Sequence, residues 1–526
     1  MKANKKIEIA LIVALYLFCL YIWSLPFHEN RLPYGEVDAG SHFTIADYTA
    51  GTDKPITRLP YFIDMRYGRD NIFTPHYLWY HPPYHVNFAV MQIIGGERVL
   101  PVFLFNAILS SAIVLISFFV IRKLYGFWAA FLSSLLLSFS LRDIFIYLWG
   151  QWPQQIAYFY TPLILYTFYR YASSYLDKKP KPVYMYILSF LMAANMFMHP
   201  ASFFHTVIAL ILFSLFLFIK EKRIPFALKH FLVFAVLFLL LISIFPFQTG
   251  NVVLKSAGGK VGVGKKAEMK GDFSRLFQWF GYREYFSQPD SYFTYKDTIG
   301  SWTIGFLILG SIYLLIKRRR KDLLLLSFLA GTYIMIHLIF FGFGRPERSL
   351  AATAHVFFPI IAIGVLSIPK LLKQFKIKAA YLSYLKYLLI FLFVFLAFYS
   401  NFTPAYNLLK DSYKGITRIT PAQYRVTEWL QENMPAEGKG INLGTLTQQK
   451  SRWMMWLSWR YIGDEGNLNF INSSSYFIMD YSDLALLYPN YGERVEQLRI
   501  FEQSYLMNAT LLYNQNNIKV YKFENT

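Results

Sequence analysis

The sequence predicts a polytopic α-helical membrane protein of about eleven spans, with a small α/β extracytoplasmic domain at its C-terminal end. Three observations predict it. Of 526 residues 55% are hydrophobic and only 16% charged, where soluble domains carry roughly a quarter charged residues. Apolar runs recur along most of the chain, and basic residues fill alternate gaps between them. The segment after residue 415 loses this pattern and mixes short apolar runs with polar stretches.

A helix needs about 20 mostly apolar residues to cross the hydrocarbon core. Runs of that kind lie near 7–25, 100–121, 126–147, 154–171, 183–199, 202–219, 230–247, 300–316, 323–342, 350–368 and 384–400. Lys2, Lys5 and Lys6 precede the first, which ends in Ser24-Leu25-Pro26-Phe27 without a small-residue cleavage site. It reads as an uncleaved signal anchor. Between 183 and 219 the pair His199-Pro200 marks a turn or a kink.

The formal charge of +21 is no nucleic-acid signature, because the charges sit where membrane topology puts them. Arg122-Lys123, then Lys178, Lys179 and Lys181, then Lys220, Lys222, Arg223 and Lys229 follow every second span. Lys317 to Lys321 and the lysines from Lys370 to Lys386 continue the alternation. A cytoplasmic N-terminus satisfies all of them. The long segments 26–99 and 248–299, and everything after about 401, then lie outside. The division expected is a membrane domain over 1–400 and an extracytoplasmic domain over 401–526. With Cys19 as its one cysteine the chain can form no internal disulfide and no cysteine metal site.

Within the last segment, Ala422 to Glu432 carries helical spacing and stops at Asn433-Met434-Pro435. Gly440–Leu443, Tyr476–Met479 and Ile518–Phe523 read as strands. The glycine-rich stretch from Ala257 to Lys266 lacks P-loop spacing and reads as a solvated loop, with a lid over an anionic group as the alternative.

Candidate chemistry gathers at outer ends of spans. Glu36-Val37-Asp38-Ala39-Gly40-Ser41-His42 opens the first outer loop. Asp38 beside small residues leaves room for a hydroxyl to approach, as a general base requires; its other reading is a helix N-cap. His42 shares a helix face with Asp38 and could help hold a metal or a phosphate. Asp47 and Asp53 read as solvated. The run from Tyr77 through Trp79, Tyr80, His81, Pro82, Pro83 and Tyr84 to His85 suits either interfacial anchoring or sugar stacking. Arg142-Asp143 at the end of the third span marks a pathway or an ion pair. His199 and His205 flank one outer turn. Gly342-Phe343-Gly344-Arg345-Pro346-Glu347-Arg348-Ser349 places arginines against the inside bias, where guanidinium forks suit phosphate; a surface network through Glu347 is the other reading.

This arrangement resembles the GT-C class of membrane glycosyltransferases, which includes oligosaccharyltransferase catalytic subunits, protein O-mannosyltransferases and the lipid A aminoarabinose transferase. The resemblance implies Asp38 as the catalytic acid/base residue and Asp143 as an acidic residue at the outer end of the third span. It implies Arg345 or Arg348 as ligand of a donor phosphate. His199-Pro200 and the stretch from Thr427 to Pro435 are similar to other members of the class. Where oligosaccharyltransferases carry WWDYG, this chain has Trp456-Leu457-Ser458-Trp459-Arg460-Tyr461-Ile462-Gly463-Asp464, which argues against protein N-glycosylation. Asp38 belongs to no DxD motif, and a divalent cation, Mg or Mn, is left open as cofactor with its ligands unknown.

The expected function is transfer of a sugar from a polyprenyl-phosphate donor to a lipid, glycan or protein acceptor at the extracytoplasmic face. Asp38 would act as base, and His42, Arg142, Asp143, His199, Arg345, Glu347 and Arg348 would bind substrate. Membrane lipids are partners and nucleic acid is not. The alternatives are a transporter or flippase of lipid-linked glycans, for which His337 and His355 are the in-span candidates, and a non-catalytic membrane assembly protein.

Overall fold

A computed structural model describes residues 5–35, 37–52, 56, 58–59, 76–78, 81–257, 300–337, 353–411, 418–444, 448–464, 474–482, 484 and 489–523. The chain is mostly helical. Helix α1 (Lys5–Trp23) leads into α2 (Val37–Gly51). A two-residue pairing of β1 (Arg58–Leu59) with β2 (His76–Tyr77) precedes α3 (Pro83–Gly95). The bundle continues through α4 (Leu100–Ser111), α5 (Ile113–Tyr125), α6 (Phe127–Ser138), α7 (Leu141–Leu148) and α8 (Trp152–Leu176). Next come α9 (Val183–Met198), α10 (Pro200–Glu221), α11 (Leu228–Ile242) and α12 (Pro246–Ala257). It closes with α13 (Ile304–Lys317), α14 (Arg320–His337), α15 (Thr353–Leu372), α16 (Ala379–Ala397) and α17 (Thr403–Asp411).

Among the described residues the apolar runs of the sequence fall largely on helices, while length and composition alone do not confirm the expected count of about eleven spans. Among the described residues five helices are long and apolar enough to cross a membrane: Lys5–Trp23, Leu100–Tyr125, Pro200–Glu221, His355–Phe375 and Ala379–Asp411. A sixth is α6 with α7, if that pair, bent by 46°, is one span. The physical reasons differ. Helices α9, α11 and the segment Ser301–Lys317 are apolar but shorter. Helix α8 buries Gln154, Gln155, Thr161 and Thr167 against its neighbours, and α14 begins with Arg320, Lys321 and Asp322. Lipid-facing surfaces are marked by exposed apolar side chains such as Leu239, Leu240, Phe391 and Phe395.

The basic ends that alternate along the sequence meet one another. Arg320 pairs with Asp177 at 2.7 Å and Glu221 at 2.9 Å, and the Lys220 ammonium donates to the Arg318 carbonyl at 2.6 Å. Arg122 pairs with Glu8. The ends of α1, α5, α8, α10 and α14 are therefore tied by charge as well as by packing. His199 sits in extended backbone between α9 and α10, so the chain turns at 199–200 from one helix to the next rather than kinking within one.

Past α17 the chain forms α18 (Pro421–Asn433), β3 (Lys439–Leu443), α19 (Gln448–Ser458), β4 (Tyr461–Asp464), β5 (Tyr476–Asp480), α20 (Tyr491–Tyr505), β6 (Thr510–Gln515) and β7 (Ile518–Lys522). The five strands order as β4-β3-β5-β7-β6. β3 runs parallel to β4 and β5, and β7 antiparallel to β5 and β6. Burial on both faces explains why β5, Tyr-Phe-Ile-Met-Asp, is apolar almost throughout rather than alternating. Helix α18 starts in a full capping box, with Thr420 and Gln423 bonding each other's backbone, and Pro421 at its first position.

The C-terminal segment packs on the first-loop helix α2. Trp453 and Trp456 of α19 are fully buried against α2. The Trp453 indole donates to the Gly35 carbonyl at 2.9 Å, and the Thr44 hydroxyl to the Trp456 carbonyl at 3.2 Å.

Candidate functional site

Asp38 lies in the first turn of α2, half-buried, where the chain leaves the segment following α1. Two glycines make that placement. Gly150, at the corner between α7 and α8, has φ +80°, and a β-carbon there would overlap the backbone of Ala39. A β-carbon on Gly40 would overlap the Trp456 ring. Only glycine lets the corner and the indole come this close to the helix carrying the acid.

The approach to α2 is pinned from several sides. The Tyr147 hydroxyl donates to the Trp23 carbonyl at 2.9 Å and also meets the Tyr34 hydroxyl. The Arg418 guanidinium bonds the carbonyls of Pro26, Asn30 and Leu32. The chain ahead of Asp38 is thus held by the end of α1, by α7 and by the start of the C-terminal segment.

His42, one turn beyond Asp38, is buried and faces His85 of α3, with Nδ1 to Nε2 at 2.9 Å. Tyr84 packs edge-on against both rings. Burial, and then the facing His42, hold His85 well below the ordinary histidine range, so the His85 ring is uncharged at neutral pH. His81 lies against Phe197 and Phe245, bonds the Thr249 hydroxyl at 3.1 Å, and burial lowers it to about 4. The sign of the pH dependence follows. An unfolded histidine takes its proton near pH 6.5, and these folded ones resist it, so their contribution is complete above that pH and is lost as pH falls. Melting temperature is expected to drop as pH falls below 6.5, on toward 4 for His81, and His81→Phe should flatten the profile. A profile unchanged by that substitution would remove His81 from the account.

Arg142 and Asp143 occupy the first turn of α7, both buried, behind the N-cap Ser140, whose hydroxyl bonds the Asp143 carboxylate. The Arg142 guanidinium lies over the Trp149 ring at 5.4 Å, beside Gly150. His199 is the N-cap of α10, its Nδ1 accepting from the Ala201 amide at 3.2 Å. Of the expected residues, Asp38, His42, Arg142 and Asp143 are thus tied into one neighbourhood through Ala39, Gly150 and Trp149. His199 serves a helix start. Arg345, Glu347 and Arg348 lie outside the described residues, as do Trp79, Tyr80, Asp53 and the glycines from 258 to 264. Among the described residues no three His, Cys, Asp or Glu side chains gather as a metal ion would require.

Two features escaped the sequence reading. Asp47, expected to be solvated, is buried. It accepts from Arg98 at 3.0 and 2.5 Å, from the Trp459 indole at 2.9 Å and from Gln92 at 3.2 Å. Arg98 also donates to Gln431 and to the Leu457 carbonyl, joining α2 to the C-terminal segment. The second is a polar cluster inside the bundle. There the His205 ring bonds the Thr332 hydroxyl at 3.0 Å and the Tyr158 hydroxyl at 3.5 Å, and Tyr158 stacks on His355.

A family model described as "Family of unknown function (DUF6541)" matches residues 99–439. No curated protein matches the sequence. Among solved structures the chain is similar to the oligosaccharyltransferase of Archaeoglobus fulgidus in its apo form, with TM-score 0.60 and 14% identity over 98% of this chain and 74% of that one. It is similar to ArnT from Cupriavidus metallidurans, with TM-score 0.56 and 8% identity over 97% of each chain. It is also similar to the arabinofuranosyltransferase AftD from Mycobacteria, with TM-score 0.52 and 8% identity over 97% of this chain and 39% of that one. At these identities the likeness concerns the fold.

Proposed function

The chain belongs to the family of unknown function DUF6541 and has a GT-C-like fold, and from that premise we propose that it is a membrane glycosyltransferase using a polyprenyl-phosphate-linked sugar. The observation that carries the proposal is the seating of Asp38. The acid stands in the first turn of α2, half-buried, at a point where two glycines admit the α7–α8 corner and an indole ring.

The reaction runs as follows. The Asp38 carboxylate takes the proton of an acceptor hydroxyl, and the freed oxygen pair bonds the anomeric carbon. The bond from that carbon to the phosphate oxygen breaks, and polyprenyl phosphate leaves with the electron pair. Arg345 and Arg348 hold the phosphate and lower the barrier by meeting its charge, with Glu347 in the same substrate-binding set. Arg142, Asp143 and His42 line the acceptor side, and His199 keeps the outer turn of α10 in place. The acceptor is a lipid, glycan or protein, and membrane lipids surround the bundle.

The test is sugar transfer by purified protein in nanodiscs, from radiolabelled polyprenyl-phosphate sugars to native membrane-lipid acceptors. Labelled product is expected with at least one donor. The buried histidines within the bundle favour a second reading, a transporter or flippase of lipid-linked glycans. Movement of labelled lipid across sealed vesicles without any transfer would select it.

Sidedness is part of the proposal: the N-terminus is cytoplasmic and the sheet extracytoplasmic, as the basic alternation supports. The one native cysteine, Cys19, is fully buried and gives a silent background. In intact cells a membrane-impermeant maleimide is expected to label Gln497→Cys and to spare Lys179→Cys until the membrane is opened. The reverse pattern would invert the topology.

A further inference from the structure

The buried cluster of Tyr158, His205, Thr332 and His355 is not used by the transfer step. It joins α8, α10, α14 and α15, and all four side chains are buried. Its two imidazoles are not equivalent. His205 is satisfied at both nitrogens, by the Thr332 hydroxyl at 3.0 Å and the Tyr158 hydroxyl at 3.5 Å. His355 is 5% exposed, yet neither of its ring nitrogens meets a hydrogen-bonding partner among the described residues. A native core rarely leaves such a group unmet, because desolvation is not repaid. Two unmet nitrogens on one ring call for something that enters.

The chemistry of that something is constrained. A neutral imidazole offers one donor and one acceptor. A phosphate at neutral pH mainly accepts, and an acyl or prenyl chain does neither. A hydroxyl group does both. The Tyr158 ring lies almost parallel to the imidazole, at 6.1 Å and 27°, and makes one wall a planar surface against which a sugar ring can lie. The cluster also connects to the site. The Arg142 guanidinium is within electrostatic reach of the Tyr158 hydroxyl, and Arg142 stacks on Trp149 beside Gly150. Gly150 touches Ala39, next to Asp38.

We infer that His355, walled by Tyr158 and braced by His205, binds a hydroxyl of the sugar on the lipid-linked donor and so selects which sugar is used. The inference rests on the glycosyltransferase reading for the identity of the ligand, and on the unmet imidazole for its place. His355 is a specificity-determining residue here and His205 a positioning residue.

The experiment compares the parent with His355→Leu, His355→Gln and His205→Leu in nanodiscs. Two probes are used for binding: a panel of polyprenyl-phosphate sugars and the same polyprenyl phosphate without sugar. The parent is expected to hold at least one sugar-bearing lipid about tenfold more tightly than the bare one. His355→Leu removes that preference while leaving the bare lipid unaffected, and His355→Gln, which keeps a donor and an acceptor, restores part of it. Without ligand, His355→Leu melts no lower than the parent, whereas His205→Leu melts several degrees lower. The inference is overturned if the preference survives His355→Leu, if both lipids weaken equally, or if the parent prefers no sugar. It is also overturned if ligand-free His355→Leu melts as low as His205→Leu, the result of a structural water only. Binding and catalysis separate the two claims. A sugar preference lost with His355 in a protein that transfers nothing upholds this inference against the proposed function. Transfer with an unchanged KM in His355→Leu does the opposite.

Discussion

Asp38→Asn is expected to slow sugar transfer by about 10²–10⁴-fold, the usual worth of a general base, while the protein folds and binds donor as the parent does. The amide matches the carboxylate in shape but cannot accept the acceptor's proton. The side chain is half-buried at the first turn of α2 rather than sealed in a core, so the exchange disturbs little packing. Glutamate at 38 would carry the same charge one methylene too far, and a partial rate from Asp38→Glu would speak for placement as well as charge. The measurement is single-turnover transfer beside a melting curve for each variant. Equal rates in parent and Asp38→Asn would take this residue out of the chemistry. A slow variant that also melts early would assign it to folding.

Asp47→Ala is expected to cost about 3–5 kcal/mol of stability, the range for removing one partner of a buried ion pair. The Asp47 side chain is 3% exposed and its main partner, Arg98, is 29% exposed. Deleting the carboxylate leaves the Arg98 guanidinium, the Trp459 indole N–H and the Gln92 amide without their shared acceptor. The joint variant Asp47→Leu/Arg98→Met should recover much of the loss, because no buried charge is then left alone. Trp459 supplies the readout, since its emission should change with the environment of its ring. A melting temperature within a degree of the parent would show that α2 is held without this pair.

What the sequence made legible was local. The acid between small residues at the start of the first loop is a pattern within seven positions, Glu36 to His42, and its helical setting follows from it. The strands at Lys439–Leu443, Tyr476–Asp480 and Ile518–Lys522 lie where short apolar runs are bounded by polar or glycine residues. Asp47 was misread because its partners stand 51 and 412 residues away. No local signal separates a solvated aspartate on a helix from one that a distant guanidinium will cover. His199 could have been read as a cap, since it directly precedes Pro200, which starts a helix well. The contrast between His205 and His355 was invisible, because it depends on which hydroxyl faces which ring. Hydropathy alone does not count the spans where helices such as α8 bury polar side chains against each other, since it cannot tell a lipid face from a protein face.

Thr44 bonds the Trp456 carbonyl, Trp453 bonds the Gly35 carbonyl, and Arg418 clasps the carbonyls of residues 26 to 32. These ties span between 386 and 418 positions of the chain. Order of synthesis therefore matters. A ribosome has made the acid-bearing helix long before it reaches the tryptophans that lock it, so the nascent helix waits in an unlocked form while the membrane helices insert. Closing so distant a contact is a late event. The contacts that lock the acid-bearing helix therefore form only after Trp453 and Trp456 have been made.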